Sequence, residues 1–192
     1  TLEIEVAGSL EEVGAMCGTV ITMLPDGKIA RKAICGDNDS FAGAITTKLA
    51  PGSLIIDMSS SSPVGTRELG ALLAKRNIKL IDAPVSNGVK GAIAATLAIM
   101  VGGDAETFAQ VKPMLEKMGS QIFHAGPLGA GHAIKALNNY VSAAGLVAAC
   151  DAVVAGKRFG LDPATIVDIL NASSGMNNTT KNKFKQHMLS GT

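Results

Sequence analysis

The stretch GPLGAGHAIKALNN, residues 126–139, places one lysine and one asparagine after a glycine-rich turn. Lys135 and Asn139 are four residues apart, so in a helix both side chains lie on one face. Near the start of a helix, the positive end of the helix dipole and partial burial both lower the pKa of a lysine amine. The pattern therefore indicates a lysine able to act as a general acid or base, with a solvated lysine as the simpler alternative.

The glycines in this stretch also resemble a dinucleotide-binding loop at the start of a helix. Such a loop needs a strand before it, a helix after it, and then a returning strand that carries an acid. The strand-like run QIFHA comes first, but only helical sequence follows the glycines. We therefore predict that this loop forms a tight domain junction, in which Gly129 and Gly131 let the backbone come close to another segment of the chain. His132 is interpreted as a polar residue at the helix start rather than as the catalytic base.

The charge and cysteine content restrict the classes of partner. The chain has 17 basic and 16 acidic residues, a formal net charge of +1 and no long run of either sign, so we expect no nucleic acid or anionic membrane as partner. Cys17, Cys35 and Cys150 form no CxxC pair, which argues against a disulfide framework and a metal cluster. These features predict small molecules or protein as partners, and a cytoplasmic location, or the mitochondrial matrix in a eukaryote.

One weakly charged run, residues 136–156, is about long enough to cross a bilayer. Asn138, Asn139, Ser142 and Asp151 interrupt it, and many of its residues are small. We predict a buried central helix rather than a membrane span.

Apolar strand-like runs alternate with helical segments up to about residue 126. This alternation predicts the α/β class, with a partial Rossmann-like, doubly wound parallel sheet. Sequence with helical periodicity follows, so an all-helical domain is expected next. The predicted domains cover residues 1–126, which are α/β, and residues 127–192, which are helical.

Two motifs then carry a family resemblance. The stretch DAPVSNGVKGAIAATLAIMVGG, residues 82–103, together with Gly129, Gly131, Lys135 and Asn139, closely resembles the β-hydroxyacid dehydrogenases, in particular the 3-hydroxyisobutyrate dehydrogenase group. That family has an Asp-Ala-Pro-Val-Ser-Gly-Gly loop, then Gly-Thr-Leu, then Gly-x-Gly-x-x-x-Lys-x-x-x-Asn. The segments TMLPDG and DMSSSSP belong to the same pattern, and the resemblance covers the whole chain.

Asn87 and Ala95 depart from the family pattern, since each replaces a motif glycine. These departures leave the catalytic motif intact and bear on substrate preference.

The resemblance implies a role for eight residues. Lys135 would be the catalytic acid and base, and Asn139 would help to hold it and the substrate. The substrate carboxylate would be bound by Ser86, Asn87 and Gly88. The cofactor, NAD or NADP, would be lined by Leu24, Pro25 and Ser60, although Ser60 is nearly as well explained as a helix-entry serine.

The function so implied is an oxidoreductase that transfers a hydride between a nicotinamide cofactor and C3 of a small 3-hydroxy acid such as 3-hydroxyisobutyrate. The resemblance makes residues 1–126 a dinucleotide-binding domain and residues 127–192 a helical substrate and dimerisation domain. The apolar helical part suggests self-association into a homo-oligomer. Two alternatives stay open: a decarboxylating dehydrogenase of the 6-phosphogluconate type, and an inactive nucleotide-binding or scaffold fragment. The resemblance also implies that a glycine-rich βαβ unit belongs before residue 1 and further helices after residue 192.

Overall fold

The structure, a computed structural model, describes residues 4–191, and the chain divides into two compact units, Thr1–Lys135 and Ala136–Thr192. The strands of the first unit are β1 (Thr19–Thr22), β2 (Leu54–Asp57), β3 (Lys79–Asp82), β4 (Val85–Ser86), β5 (Ala98–Gly102) and β6 (Gln121–Gly126). Its helices are α1 (Leu10–Met16), α2 (Gly27–Cys35), α3 (Ile45–Lys48), α4 (Pro63–Ala74), α5 (Gly88–Ile93) and α6 (Ala105–Leu115), with a 3-10 turn at Asp37–Asp39. The helix α7 (Ala130–Arg158) begins in the first unit and ends in the second.

The six strands described form one mixed sheet in the order β1-β2-β3-β5-β4, with β6 paired to β5. β1, β2 and β3 are parallel to one another, and β5 is parallel to β6. By contrast, β3 and β4 run antiparallel to β5. The predicted α/β class is confirmed, and the antiparallel pairing is the difference. A parallel crossover needs about a dozen residues or more, and the chain between Ser86 and Ala98 is shorter than that.

Apolar side chains cover both faces of the sheet. On one face Ile55 and Leu80 pack with Ile34 of α2 and Leu73 of α4. On the other face lies a second buried cluster, whose members include Ile56, Ile81, Ile99, Val111 and Leu115. Consecutive strand residues point to opposite faces, so neighbours such as Ile55 and Ile56 belong to different clusters. The continuous apolar strands seen in the sequence are explained by this double coverage.

The second unit is helical, as predicted. After α7 come α8 (Pro163–Asn171), α9 (Asn178–Asn182) and a π-helical turn at Phe184–Met188. Ala149, Val153, Val167 and Phe184 form its small buried core. Asp162 caps α8 by accepting a hydrogen bond from the backbone N–H of Thr165, as its position before Pro163 predicts.

The helix α7 is less buried than the sequence predicts. By length and composition alone it could cross a membrane, a test that the core helix of a soluble protein also passes. Only 11% of its apolar window is buried within this chain. Side chains such as Tyr140, Val141 and Val147 are exposed, because the second unit's small core covers α7 only around Ala149 and Val153. The prediction of a buried central helix is therefore wrong for the residues that the structure describes.

The domain boundary predicted at residues 126 and 127 stays a prediction. The division into compact units falls between Lys135 and Ala136, inside α7.

Candidate active site

Polar residues meet where β1, β2 and β3 end. Thr22, Asp57 and Asp82 lie in register as the last residues of these strands, and Asp82 also pairs with Gly102 of β5. The carboxyl ends of parallel strands are where ligands bind in open α/β sheets. This edge of the sheet therefore defines the candidate site.

The first turn of α7 is fixed to this edge by Asp82. Its carboxylate accepts hydrogen bonds of 2.7 Å from the backbone N–H groups of Gly129 and His132. An anion at a helix N-terminus satisfies N–H groups that have no partner within the helix. The glycines permit this approach, since a Cβ on Gly131 would lie 2.2 Å from the carbonyl oxygen of Met100. The predicted close approach of the backbone at Gly129 and Gly131 to another segment is thus present.

Lys135 lies in the second turn of α7 and is half-buried. Its Nζ donates a 2.9 Å hydrogen bond to Oγ of Ser86, the last residue of β4. Burial lowers the pKa of the Lys135 amine from its ordinary value of 10.5. The structure therefore places an amine with a lowered pKa beside the loop predicted to bind a substrate carboxylate.

That loop has an unusual backbone at two positions. Asn87 has φ 86° and Ala95 has φ 53°, the left-handed region that favours glycine. The family motif has glycine at both places, and this chain has a left-handed backbone there with asparagine and alanine instead. The side-chain amide of Asn87 donates a 2.9 Å hydrogen bond to the carbonyl of Thr96, which ties the two ends of the loop together. Asn87 and Gly88 are exposed, and their predicted role in binding a carboxylate stays a prediction.

Asn139 lies one turn beyond Lys135 on α7, in the second unit, and is exposed. Its side chain forms no hydrogen bond with another of the residues described. Its predicted role as a partner of Lys135 and substrate stays a prediction.

The residues predicted to line the cofactor lie on two neighbouring loops. The backbone N–H of Leu24, after β1, donates a 3.0 Å hydrogen bond to Oγ of Ser59, after β2. Ser60 is exposed and lines a cavity of about 500 Å³, together with Gly27, Lys28 and Ser61 among others. Leu24 and Pro25 are outside the lining of this cavity, although they border the same loops.

The lining of this cavity combines hydrogen-bond donors with two acids, Asp26 and Asp57. Ser60, Ser61 and Lys28 bring hydroxyl groups and an ammonium group to its wall. A Cβ on Gly27 would approach within 2.9 Å of the Ser61 side chain, so the absence of a side chain there keeps the wall open. Ribose and phosphate oxygens accept hydrogen bonds from hydroxyl and ammonium groups.

Sequence reasoning did not predict that the polar residues supporting the site are buried and bonded to one another. Asp57, Asp82, Thr66 and His132 are all buried, and His132 bonds through both of its ring nitrogens. The available signal was an aspartate at the end of two apolar strands, in SLIIDM and IKLIDAP. An acid at that position points to the carboxyl edge of the sheet.

Two protein-family models match the chain. Residues 1–126 match the NAD-binding domain of 6-phosphogluconate dehydrogenase, and residues 129–192 match the NAD-binding model of NADP-dependent 3-hydroxyisobutyrate dehydrogenase. The predicted cofactor, NAD or NADP, is confirmed at the level of the family by these models.

Similar proteins are named as dehydrogenases. A 2-(hydroxymethyl)glutarate dehydrogenase of Eubacterium barkeri is 35% identical over 181 residues, covering 94% of this chain and 58% of that protein. A probable 3-hydroxyisobutyrate dehydrogenase of Mycobacterium bovis is 41% identical over 167 residues, covering 87% of this chain and 54% of that protein. The chain thus spans little more than half the length of these relatives.

A solved structure extends the likeness to the fold. The 3-hydroxyisobutyrate dehydrogenase of Mycobacterium tuberculosis, determined with L-serine, has a TM-score of 0.77 and 38% identity to this chain, covering 91% of it and 56% of that chain. Together with the two family models, this confirms the predicted family. The chain belongs to the β-hydroxyacid dehydrogenase family, in its 3-hydroxyisobutyrate dehydrogenase-like group.

Proposed function

We propose that the intact protein is an oxidoreductase that transfers a hydride between NAD or NADP and C3 of a small 3-hydroxy acid, with Lys135 as general acid and base. The observation that carries this proposal is the 2.9 Å hydrogen bond from Lys135 Nζ to Ser86 Oγ. It joins the two motifs that are most specific to the family, which are far apart in the sequence.

The proposed chemistry follows from the state of the amine. When bound, the nicotinamide supplies or accepts the hydride. In oxidation, neutral Lys135 takes the proton of the C3 hydroxyl as that carbon loses its hydride and becomes a carbonyl carbon. In reduction, the ammonium returns the proton to the forming alkoxide. Because burial lowers the pKa of Lys135, the neutral amine that oxidation needs is more populated near neutral pH than in an exposed lysine.

The same geometry favours a short acid. Ser86 would donate its hydroxyl hydrogen to the substrate carboxylate, and Lys135 is only 2.9 Å from that hydroxyl oxygen. A carboxylate and a reacting hydroxyl that contact neighbouring side chains must be separated by few bonds. Three of the relatives are named for 3-hydroxyisobutyrate, 2-(hydroxymethyl)glutarate and L-serine. Each of these compounds carries a hydroxyl group on the carbon β to a carboxylate.

The test is an assay of the intact protein with NAD and with NADP, following the absorbance of reduced nicotinamide. The panel holds 3-hydroxyisobutyrate, L-serine, 2-(hydroxymethyl)glutarate, glycerate and 6-phosphogluconate. We expect turnover with at least one of the four small 3-hydroxy acids. Turnover of 6-phosphogluconate alone, with release of CO₂, would instead establish the decarboxylating alternative. Cofactor binding without any turnover would support the inactive nucleotide-binding alternative.

Assembly and location belong to the same proposal. Self-association into a homo-oligomer is tested by the molar mass of the intact protein in light scattering. The proposed location is the cytoplasm, or the mitochondrial matrix in a eukaryote. Relatives in Dictyostelium discoideum and Mus musculus are named as mitochondrial.

A further inference from the structure

A buried polar cluster forms part of the candidate site, and two of its members, Asp57 and Thr66, also line the cavity described above. None of its members takes part in the proposed proton transfer. It consists of Asp57, Ser59, Thr66, Asp82 and His132, each between 0% and 3% exposed. Charged and polar groups this deeply buried are costly unless they are bonded. The bonds of His132 are therefore informative about what the cluster does.

The imidazole of His132 joins α7 to two other segments of the first unit. Its Nε2 lies 3.0 Å from the carbonyl oxygen of Ser59, just after β2, and its Nδ1 lies 2.8 Å from the hydroxyl oxygen of Thr66 in α4. A carbonyl oxygen only accepts hydrogen bonds, so Nε2 carries a proton. The carboxylates of Asp57 and Asp82 lie 3.9 and 3.6 Å from the ring nitrogens.

The contacts continue from Ser59 to the loops predicted to line the cofactor. Ser59 Oγ accepts the N–H of Leu24, and Ser59 N–H donates to Asp57 Oδ1 at 3.0 Å. Ser60 follows directly in the chain and lines the cavity described above. A continuous set of hydrogen bonds thus runs from Leu24 through Ser59 to His132.

On the other side, His132 is tied to the lysine through the helix. Lys135 is three residues further along α7, less than one turn away. The backbone N–H of His132 is held by Asp82, so both the main chain and the ring of this residue are anchored. A shift of the ring would move the first turn of α7, and with it the Lys135 amine relative to Ser86.

We infer that His132 is a positioning residue: it fixes the first turn of α7 against the Ser59 loop, and so sets Lys135 in register with the segment that lines the cofactor. This inference rests on the proposed function for its catalytic consequence. The structural consequence of the inference, which concerns the surroundings of Lys135 alone, is independent of the proposed function. The two consequences are tested by separate measurements.

Three variants of the intact protein separate this role from general stability. His132→Leu removes both ring contacts, and His132→Gln keeps a side-chain amide able to donate to Ser59. Thr66→Val removes the hydroxyl at Nδ1, and with it a 3.0 Å hydrogen bond that this hydroxyl donates to the Ser62 carbonyl at the start of α4. Thr46→Val is the matched control, since Thr46 is equally buried and its hydroxyl donates to the carbonyl of Ile34, outside the cluster.

The kinetic test compares the change in kcat with the change in the cofactor dissociation constant for each variant. A displacement of about 1 Å at a catalytic group can lower the rate by about a hundredfold. We therefore expect kcat for His132→Leu and Thr66→Val to fall by about tenfold or more, with His132→Gln nearer to wild type. In the two His132 variants the cofactor dissociation constant should be nearly unchanged, whereas Thr66 itself lines the cavity described above. A fall in Thr46→Val as large as in Thr66→Val would overturn the inference.

The second readout needs no enzymatic activity, so it stands even if the protein oxidises no hydroxy acid. The Lys135 amine is acetylated over a range of pH, and its modification is measured by mass spectrometry of the peptide, with exposed Lys90 and Lys117 as internal references. In Thr66→Val and His132→Leu we expect the midpoint for Lys135 to move up relative to wild type, because a displaced amine is less buried. If His132→Leu does not fold, Thr66→Val carries the test. An unchanged midpoint in a folded Thr66→Val protein would overturn the inference.

Discussion

Lys135 Nζ donates a hydrogen bond to Ser86 Oγ across 2.9 Å, although 49 residues separate the two in the chain. One residue belongs to the second turn of α7, and the other ends β4. The contact therefore depends on two separate supports, the Asp82 carboxylate at the start of α7 and the pairing of β4 with β5. It turns two sequence motifs into one candidate site.

Ser86→Ala removes the hydroxyl that faces the lysine. If Ser86 holds the substrate carboxylate, losing a hydrogen bond to a charged group should lower kcat/KM by about tenfold or more, mainly through KM. Steady-state kinetics with the best acid in the panel measures this. Ser120→Ala, at an exposed serine before β6, is the control. An unaltered KM in Ser86→Ala would remove Ser86 from the substrate site.

Ala95 adopts a left-handed backbone that alanine disfavours, with φ 53°. Ala95→Gly should raise the free energy of unfolding by about 0.5–1 kcal/mol, because relief of the backbone strain exceeds the extra chain entropy of glycine. Urea denaturation measures the change. Ala71→Gly, in the exposed interior of α4, should instead lower stability by about 0.5–1 kcal/mol. Destabilisation by both substitutions would show that the loop does not hold this conformation.

Gly131 is predicted to tolerate no side chain. A Cβ there would lie 2.2 Å from the Met100 carbonyl oxygen and 2.9 Å from the Asp82 carboxylate, so Gly131→Ala should cost about 1–3 kcal/mol of stability. It should also lower activity, since α7 must move away from the sheet. Gly18→Ala is the matched control, because a Cβ on Gly18 meets nothing within 4 Å. Equal melting temperatures for the two variants would contradict the described packing.

Much of this arrangement could be predicted from the sequence. Apolar runs gave the strands, Asp162-Pro163 gave the start of α8, and the glycine and lysine spacing gave the first turns of α7. The partners of His132 could not be predicted, because Ser59 and Thr66 are 73 and 66 residues away and reach it only through the sheet. The antiparallel direction of β5 was missed because a continuous apolar run looks the same for either strand direction. The exposure of α7 was missed because hydropathy does not say what packs against a helix.

The pH dependence of the reaction should follow the Lys135 amine. Burial lowers its pKa from 10.5, and oxidation needs the neutral form. Below that lowered pKa, kcat for oxidation should rise by about tenfold per pH unit, and above it kcat for oxidation should be constant. Reduction needs the ammonium, so its kcat should be constant below the pKa and fall above it. Rates in both directions, measured across neutral to alkaline pH, test this. A flat profile in both directions would show that this amine does not limit the rate.

The most direct test of the account is the turnover of Lys135→Met in the intact protein. This change keeps an unbranched side chain of similar length and removes the amine. Because burial disfavours the ammonium form, the variant should be at least as stable as wild type. We predict a kcat lower by about a hundredfold or more, cofactor binding close to wild type, and normal kinetics for Lys117→Met at an exposed lysine. Turnover of Lys135→Met at the wild-type rate would contradict the assignment of Lys135 as the catalytic acid and base.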